Sequence, residues 1–447
     1  MKDLEKFRKD FESSEKNIIA MNAVSHGSLN VVAMNRLHAQ GLSRTFSNEI
    51  KTRGITNQKK SGRCWMFAGL NLLRESIANK LNLDNFELSQ SYQMFYDKIE
   101  KANYFLESII ETAKEDLNGR LVMWILSKPV EDGGQWGMFT DLVEKYGVLP
   151  KELMDESFQT SESAAMNRLL DTKLREDALA LREMVKKGKT TKEIQSKKAE
   201  LLEEIHRILS INIGLPPEKF DYEYKDKDGN FHRIEGITPL EFYKEFVEMP
   251  IDGMVSVINC PTPDKDFMKT YTVQYLGNVI GGKGIKYLNL KLDEFKALAK
   301  KMILDGNLVW FTADVGKMME REKGILDTEI YDFEKLYGTK FLFNKAERLD
   351  YGDSLMTHAM VFTGVDIDDD GKIIKWKVEN SWGDQLGDKG YFLMSDSWFD
   401  EYVYEVAVDE KYLSAAMKKV LKEKPVELPP WDPMGSVAFA RSTTHHL

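Results

Sequence analysis

Cysteine is nearly absent from this chain: two occur in 447 residues, Cys64 and Cys260. A secreted chain of this size would usually carry a disulfide framework, so the count points to a reducing compartment. Long apolar runs are missing too. No stretch reaches the ~18 apolar residues a membrane span needs, and the opening MKDLEKFRKDFESSEKN has no apolar signal core. The expected location is cytoplasmic, with no membrane partner. Positive charge is not in surplus either: 62 Lys and Arg face 72 Asp and Glu, a formal charge of −10. Such a balance gives no overall attraction to nucleic acid. The one basic stretch, VKKGKTTKEIQSKK, reads as a solvated helix face, so no nucleic-acid partner is expected. Metal-ligand spacing is lacking among the two cysteines and seven histidines. The D-x-D-x-D-G run at Asp366, Asp368, Asp370 and Gly371 opens like a calcium loop, but Lys377 stands where the bidentate Glu belongs. It reads as a hairpin turn, and no metal is expected. There is no internal repeat and no low-complexity tract.

What is present is segregated by type. Residues 1–60 begin helical and turn irregular. Met66, Phe67, Leu70, Leu73 and Ile77 recur on one helical stripe. Ser89 has the position of a helix cap before QSYQMFYDKIEKANYF. Residues 160–214 are long, charged and periodic, with capping-box spacing at Thr190 and Glu193 and a stop at Gly214. This predicts a helical hairpin around Gly188. From about residue 220, β-branched and aromatic runs dominate: a hairpin turning at Asp228–Gly229, then MVSVIN, TVQYL, KYLNL, LVWFTADV, HAMVFTGVDI, KIIKWKVEN and YVYEVAV. One helix, DEFKALAKKMIL, interrupts them. A helical first half and a strand-rich second half predict an α+β fold with two lobes.

Chemistry concentrates at SGRCWMFAGLNLLR, residues 61–74, where the scarce thiol of Cys64 stands at a helix start. A free thiol has a pKa near ~8.5, and a helix N-terminus with a nearby imidazolium lowers it to roughly 3.5–7.5. The helix dipole favours the thiolate there. A histidine must then hold the proton and pass it to a leaving amine. His358 stands at the entry to a predicted strand. Asn380, at the end of the next strand, supplies the third group that fixes the imidazole tautomer. Gln58, six residues before Cys64, can donate its amide alongside the Cys64 N–H to an oxyanion. Cys260, in VINCPTP, has no partner motif and reads as structural.

Gln58, SGRCW, His358 and ENSWG, in that chain order, resemble the papain-like cysteine peptidases. Two departures stand out. Ser61 replaces the first, disulfide-forming cysteine of the usual signature, and Arg63 replaces a small residue. The histidine follows the cysteine by almost three hundred residues instead of the usual ~130–150. SGRCW, DGGQWGMF, KAERLDYGDSLMTHAMV, ENSWG and PPWDPMG together resemble the bleomycin hydrolase and aminopeptidase C branch. The resemblance runs from about residue 20 to Ala438. It implies a papain-like two-lobed fold, a helical lobe plus an antiparallel β lobe, with a helical insertion and a C-terminal arm. The expected segments are 1–60 packing on the core and interfaces, 61–159 as the helical lobe with the nucleophile, 160–250 as the mainly helical insertion, 251–410 as the β-rich lobe with His and Asn, and 411–447 as a C-terminal helix and arm.

The resemblance makes Cys64 the nucleophile, His358 the acid/base, Asn380 the orienting residue and Gln58 the oxyanion donor. Gly133 and Gly134 match glycines along which a substrate backbone lies, and Trp382 matches an aromatic that shields the Asn–His contact. It further implies peptide substrates, hydrolysis of bleomycin-like amides, a homohexamer and no cofactor. In the family the chain end folds into the cleft and its carboxylate meets the substrate amine. Ala438 matches that end, yet nine residues follow it, with His445–His446 among them. That leaves an aminopeptidase as the primary reading, a cysteine endopeptidase with an unblocked cleft as the alternative, and a nucleic-acid-binding hexamer with a vestigial site as the third.

Overall fold

The computed structural model describes residues 3–438. The nine residues after Ala438, including His445–His446, lie outside the described residues.

Helical and strand elements segregate as the periodicities require. The helix Cys64–Lys80 departs from the one-sided stripe: Cys64, Trp65, Met66, Phe67, Ala68, Gly69 and Leu70 are all buried in sequence. It is an interior helix, packed between the sheet, the helix Trp136–Tyr146 and the helix Gln90–Glu111, so both faces exclude water. Ser89 caps Gln90–Glu111 by accepting from the Tyr92 N–H. Against that helix pack Ala164–Lys186 and Thr191–Ile213, the two arms of the hairpin whose turn holds Gly188 at φ +68°. Both halves of the Thr190–Glu193 capping box form, and Leu170, Leu174, Leu181, Leu201, Ile205 and Leu209 bury one face. Burying each such side chain contributes about 1.5–3 kcal/mol, which fixes this long hairpin on the lobe.

Twelve strands form one sheet. Its central run is antiparallel: Met254–Ile258, Val403–Asp409, Val309–Ala313, His358–Ile367, Ile373–Glu379 and Tyr391–Ser395, side by side in that order. Three further pairings are parallel: Met254–Ile258 with Tyr287–Asn289, Val426–Leu428 with Lys269–Val273, and Tyr391–Ser395 with Ile325–Leu326. None of them is a local hairpin, so local pattern carries no trace of them. The TVQYL run, expected as strand, is strand only as far as Val273; Tyr275 at φ +55° turns the chain away. A separate hairpin, Phe220–Lys225 with Phe231–Ile237, turns around Asp228–Gly229. The D-x-D-x-D-G run is the turn joining His358–Ile367 to Ile373–Glu379, and Asp368 accepts from the N–H groups of Asp370 and Lys372. Among the described residues no cluster of His, Cys, Asp and Glu could hold a metal ion. No described helix is long and apolar enough to cross a membrane.

Candidate active site

Cys64 is the first residue of its helix and fully buried. Its Sγ lies 3.5 Å from the backbone N of Ala359, the residue after His358, so the Cys64 helix and the histidine strand meet at their starts. The antiparallel register does the rest. Val361 pairs with Glu379, which sets His358 beside the residues leaving the neighbouring strand. His358 Nε2 donates to Asn380 Oδ1 at 2.8 Å, leaving Nδ1 buried, without a hydrogen-bond partner among the described residues, as the nitrogen open to the thiol proton. Trp382 covers the pair, its ring centroid 4.7 Å from the imidazole. Burial lowers the His358 pKa to about 4; the Asn380 contact opposes this and the Arg321 charge adds to it. Burial thus favours the neutral form of the imidazole.

Gln58 is brought in by backbone pairing. Its N–H donates to Ser381 O at 2.9 Å, and Asn57 bridges Trp382. Ser381 Oγ donates to Gln58 Oε1 at 2.7 Å, which fixes which end of the amide is the donor; Nε2 donates to Ser61 O at 2.8 Å. Ser381 lies inside the ENSWG run, where local pattern gives no sign of this role. Glu379 anchors the strand end before Asn380 to the nucleophile helix, accepting from Asn71 at 2.9 Å and from Arg74 at 3.3 Å.

The loop before Cys64 is tied by polar bonds. Ser61 Oγ donates to Gln58 O at 2.7 Å and accepts from Arg63 Nε at 2.9 Å. The Arg63 guanidinium, 1% exposed, grips Glu156 with two bonds of 3.0 and 2.7 Å. Burial raises the Glu156 carboxyl, but the Arg63 charge more than offsets that and holds it below its ordinary value. A second hub, which no local sequence pattern marks, is Asp132. It accepts from Gly62 N at 2.9 Å and Asn167 at 2.7 Å, and pairs with Lys98 at 2.7 Å. Burial raises its pKa, yet the Lys98 ammonium and the Gly62 N–H hold it well below the carboxylate range. One carboxylate thus joins the nucleophile loop, the glycine loop and the helical hairpin.

Gly133 and Gly134 face the C-terminal arm. The Gly134 N–H donates to Ala438 O, and the Ala438 N–H to Gly134 O, both at 3.3 Å. The arm meets the glycine loop through this one bridge pair. Gln135 donates to Ser436 O, Ser436 Oγ accepts from Met356 N at 3.1 Å, and Tyr287 donates to Met434 O at 3.1 Å. Gly133 O accepts from Lys101 at 2.6 Å beside a cavity of about 100 Å³ lined by Tyr104, Trp124, Tyr275 and Val437. A Cβ on Gly134 would meet the Trp65 ring at 2.5 Å; only glycine fits between arm and indole.

A thiol at a helix start, a histidine beside it held by an asparagine, and an amide aimed by Ser381 are thus assembled in one buried site. The profile of the Peptidase C1-like family matches residues 1–435. This chain belongs to that family. The peptidase is 46% identical over 436 residues to aminopeptidase C of Listeria innocua, covering 98% of each chain. It is 44% identical over 435 residues to bleomycin hydrolase of Rattus norvegicus, covering 95% of this chain and 96% of that one. The crystal structure of PepW from Lactobacillus rhamnosis HN001 superposes with a TM-score of 0.96 at 47% identity, over 98% of each chain. The α+β papain-like fold and the assignment as a cysteine peptidase follow. Cys260, the other thiol, is buried 3.4 Å from Thr262 Oγ1, and burial pushes its pKa up, which makes it a poor nucleophile.

Proposed function

We propose that this peptidase is a cytoplasmic cysteine aminopeptidase that releases N-terminal residues from peptides. Cys64 passes its proton to His358 and attacks the scissile carbonyl as a thiolate. Gln58 Nε2 and the Cys64 N–H receive the oxyanion, a term whose single donors are worth ~10²–10³ in rate. His358 then protonates the leaving amine, and afterwards draws a proton from water so that the thioester is hydrolysed. No step calls for a cofactor. The observation that supports the exopeptidase mode is the arm, whose Ala438 pairs with Gly134 of the glycine loop. Relatives named aminopeptidase C support the same mode. Cleavage of bleomycin-like amides, suggested by the relatives named bleomycin hydrolase, and a homohexameric assembly belong to the same proposal.

Matched peptides with free and N-acetylated amines test it. Free-amine substrates are expected to be cut from the end, and acetylated ones to resist. Internal cleavage of acetylated peptides at equal rates would establish the endopeptidase alternative. Steep salt-dependent binding to DNA without turnover would favour the vestigial-site reading. Intact mass of wild type against Cys64→Ala, before and after incubation, reports whether residues past Ala438 are removed by the enzyme itself.

A further inference from the structure

One cation beside the His358–Trp382 pair is given no step in the chemistry above. Trp382, the indole covering His358, also carries the guanidinium of Arg321, 4.4 Å from its ring centroid. Arg321 is half-buried and forms no ion pair with a described residue. Burial lowers its pKa, and only the charge of Glu322 opposes this. The nearest acid in sequence on the other side, Glu320, is engaged instead by the Lys323 N–H. The guanidinium is left desolvated on its ring face and unneutralised.

The position is built rather than incidental. Arg321 opens the turn between Met319–Glu320 and Ile325–Leu326, closed by the Gly324 N–H donating to Arg321 O at 3.1 Å. Gly387 N donates to Glu322 O at 3.0 Å, and Leu393 N to Gly324 O at 2.9 Å. Gly324, at φ +60°, sits so close that a Cβ would meet Gly387 Cα at 2.6 Å. The turn is pinned against the loop that follows Trp382.

In the proposed mechanism the acyl half of a substrate lies along Gly134, which pairs with the arm at Ala438. The leaving amine must take its proton from His358, so the residues that depart lie on the side of His358 and Trp382. There they pass a planar set of donors suited to a carboxylate. We propose that Arg321 receives a carboxylate of the departing peptide, either the α-carboxylate of a short substrate or an Asp or Glu side chain just after the scissile bond, and so biases the enzyme towards acidic leaving groups. This rests on the cysteine-peptidase mechanism above.

Three substrate sets test it in wild type, Arg321→Gln and Arg321→Lys. The first pairs free-amine dipeptides and tripeptides ending in an acid with the same peptides ending in an amide. The second pairs longer amidated peptides carrying Glu or Gln after the scissile bond. The third is a neutral aminoacyl anilide. Wild type is expected to prefer the acid member by about five- to tenfold in kcat/KM for a half-buried charge-assisted pair. That preference is expected to shrink as salt rises, to vanish in Arg321→Gln and to survive in part in Arg321→Lys. Preference in the first set alone assigns a terminal carboxylate, and in the second a side chain. Any general effect of the variant on His358 cancels in these ratios. A wild-type ratio near one in both sets overturns the proposal whatever the variants do. So does an unchanged ratio in Arg321→Gln that still turns over the anilide. Failure of the peptidase mechanism would look different: anilide turnover absent, or indifferent to alkylation of Cys64.

Discussion

Replacing Gly134 by Ala tests how closely the cleft wall is fitted. The added Cβ would stand 2.5, 2.6 and 2.7 Å from Cε2, Cδ2 and Cζ2 of Trp65. Relief to ordinary contact needs a movement of roughly an ångström. The indole has little freedom to give. It is fully buried, its Nε1 donates to Asp132 O at 2.7 Å, and its own carbonyl accepts from Trp310 Nε1 at 3.0 Å. Forcing a methyl into such packing costs about 1–3 kcal/mol. Trp65 follows Cys64 directly, so the strain reaches the sulfur, and a displacement of about 1 Å at a reacting atom costs on the order of 10² in rate. The expected outcome is a lowered melting temperature and a loss of kcat/KM of roughly ten- to a hundredfold, read by thermal unfolding and steady-state turnover of a free-amine peptide. Gly41→Ala, where no atom lies within 4 Å of the added carbon, is the control and should leave both unchanged. If Gly134→Ala matches that control in stability and in turnover, the fit between arm, glycine and indole is not what shapes the site.

Other perturbations address single groups. Ser381→Ala removes the hydroxyl that fixes the Gln58 amide, and should lower kcat about tenfold with little change in KM, since the oxyanion forms only during reaction; a pure KM effect would contradict it. Because burial lowers the His358 pKa to about 4, the neutral base persists well below the ordinary histidine range, and the acid limb of a kcat/KM–pH profile should fall below pH 6. Burial raises the Glu405 carboxyl from 4.5 to about 8, with Ser256 and Thr312 opposing. The unfolded chain ionises there first, so this residue's stabilising contribution is complete below pH 4.5 and is lost as pH rises through 8, on the order of 3–5 kcal/mol in all. Glu405→Gln should therefore gain stability over wild type at pH 8 and little at pH 4.5, by denaturant unfolding at both. Asn380→Ala should leave His358 Nε2 unpartnered and reduce kcat/KM by about 10²-fold or more.

Much of this site was legible because its chemistry is written in local words. A thiol before an apolar helix, a histidine at a strand entry, an asparagine at the next strand's end and a glutamine shortly before the thiol each carry a recognisable context. The hairpin around Gly188 was legible for the same reason, since its period and capping box are local. Lys98 and Asp132, Glu379 with Asn71 and Arg74, and Arg321 over Trp382 were not. Each joins residues distant in sequence, and a lone Lys or Arg on a periodic helix or in a turn looks like any solvated one. The parallel pairings escaped likewise, because the partner of a strand is decided by tertiary packing. The one-sided stripe expected from Met66 to Ile77 failed for a related cause: an interior helix has no wet face to display.

The Arg63–Glu156 grip has a further meaning. Ser61 stands where the resemblance would place a disulfide-forming cysteine, and the loop before Cys64 is held by Ser61 and a buried guanidinium. A thiol enzyme needs reductant to stay active, and reductant threatens any disulfide that holds it together. This loop escapes that conflict, since hydrogen bonds and an ion pair are indifferent to electrons.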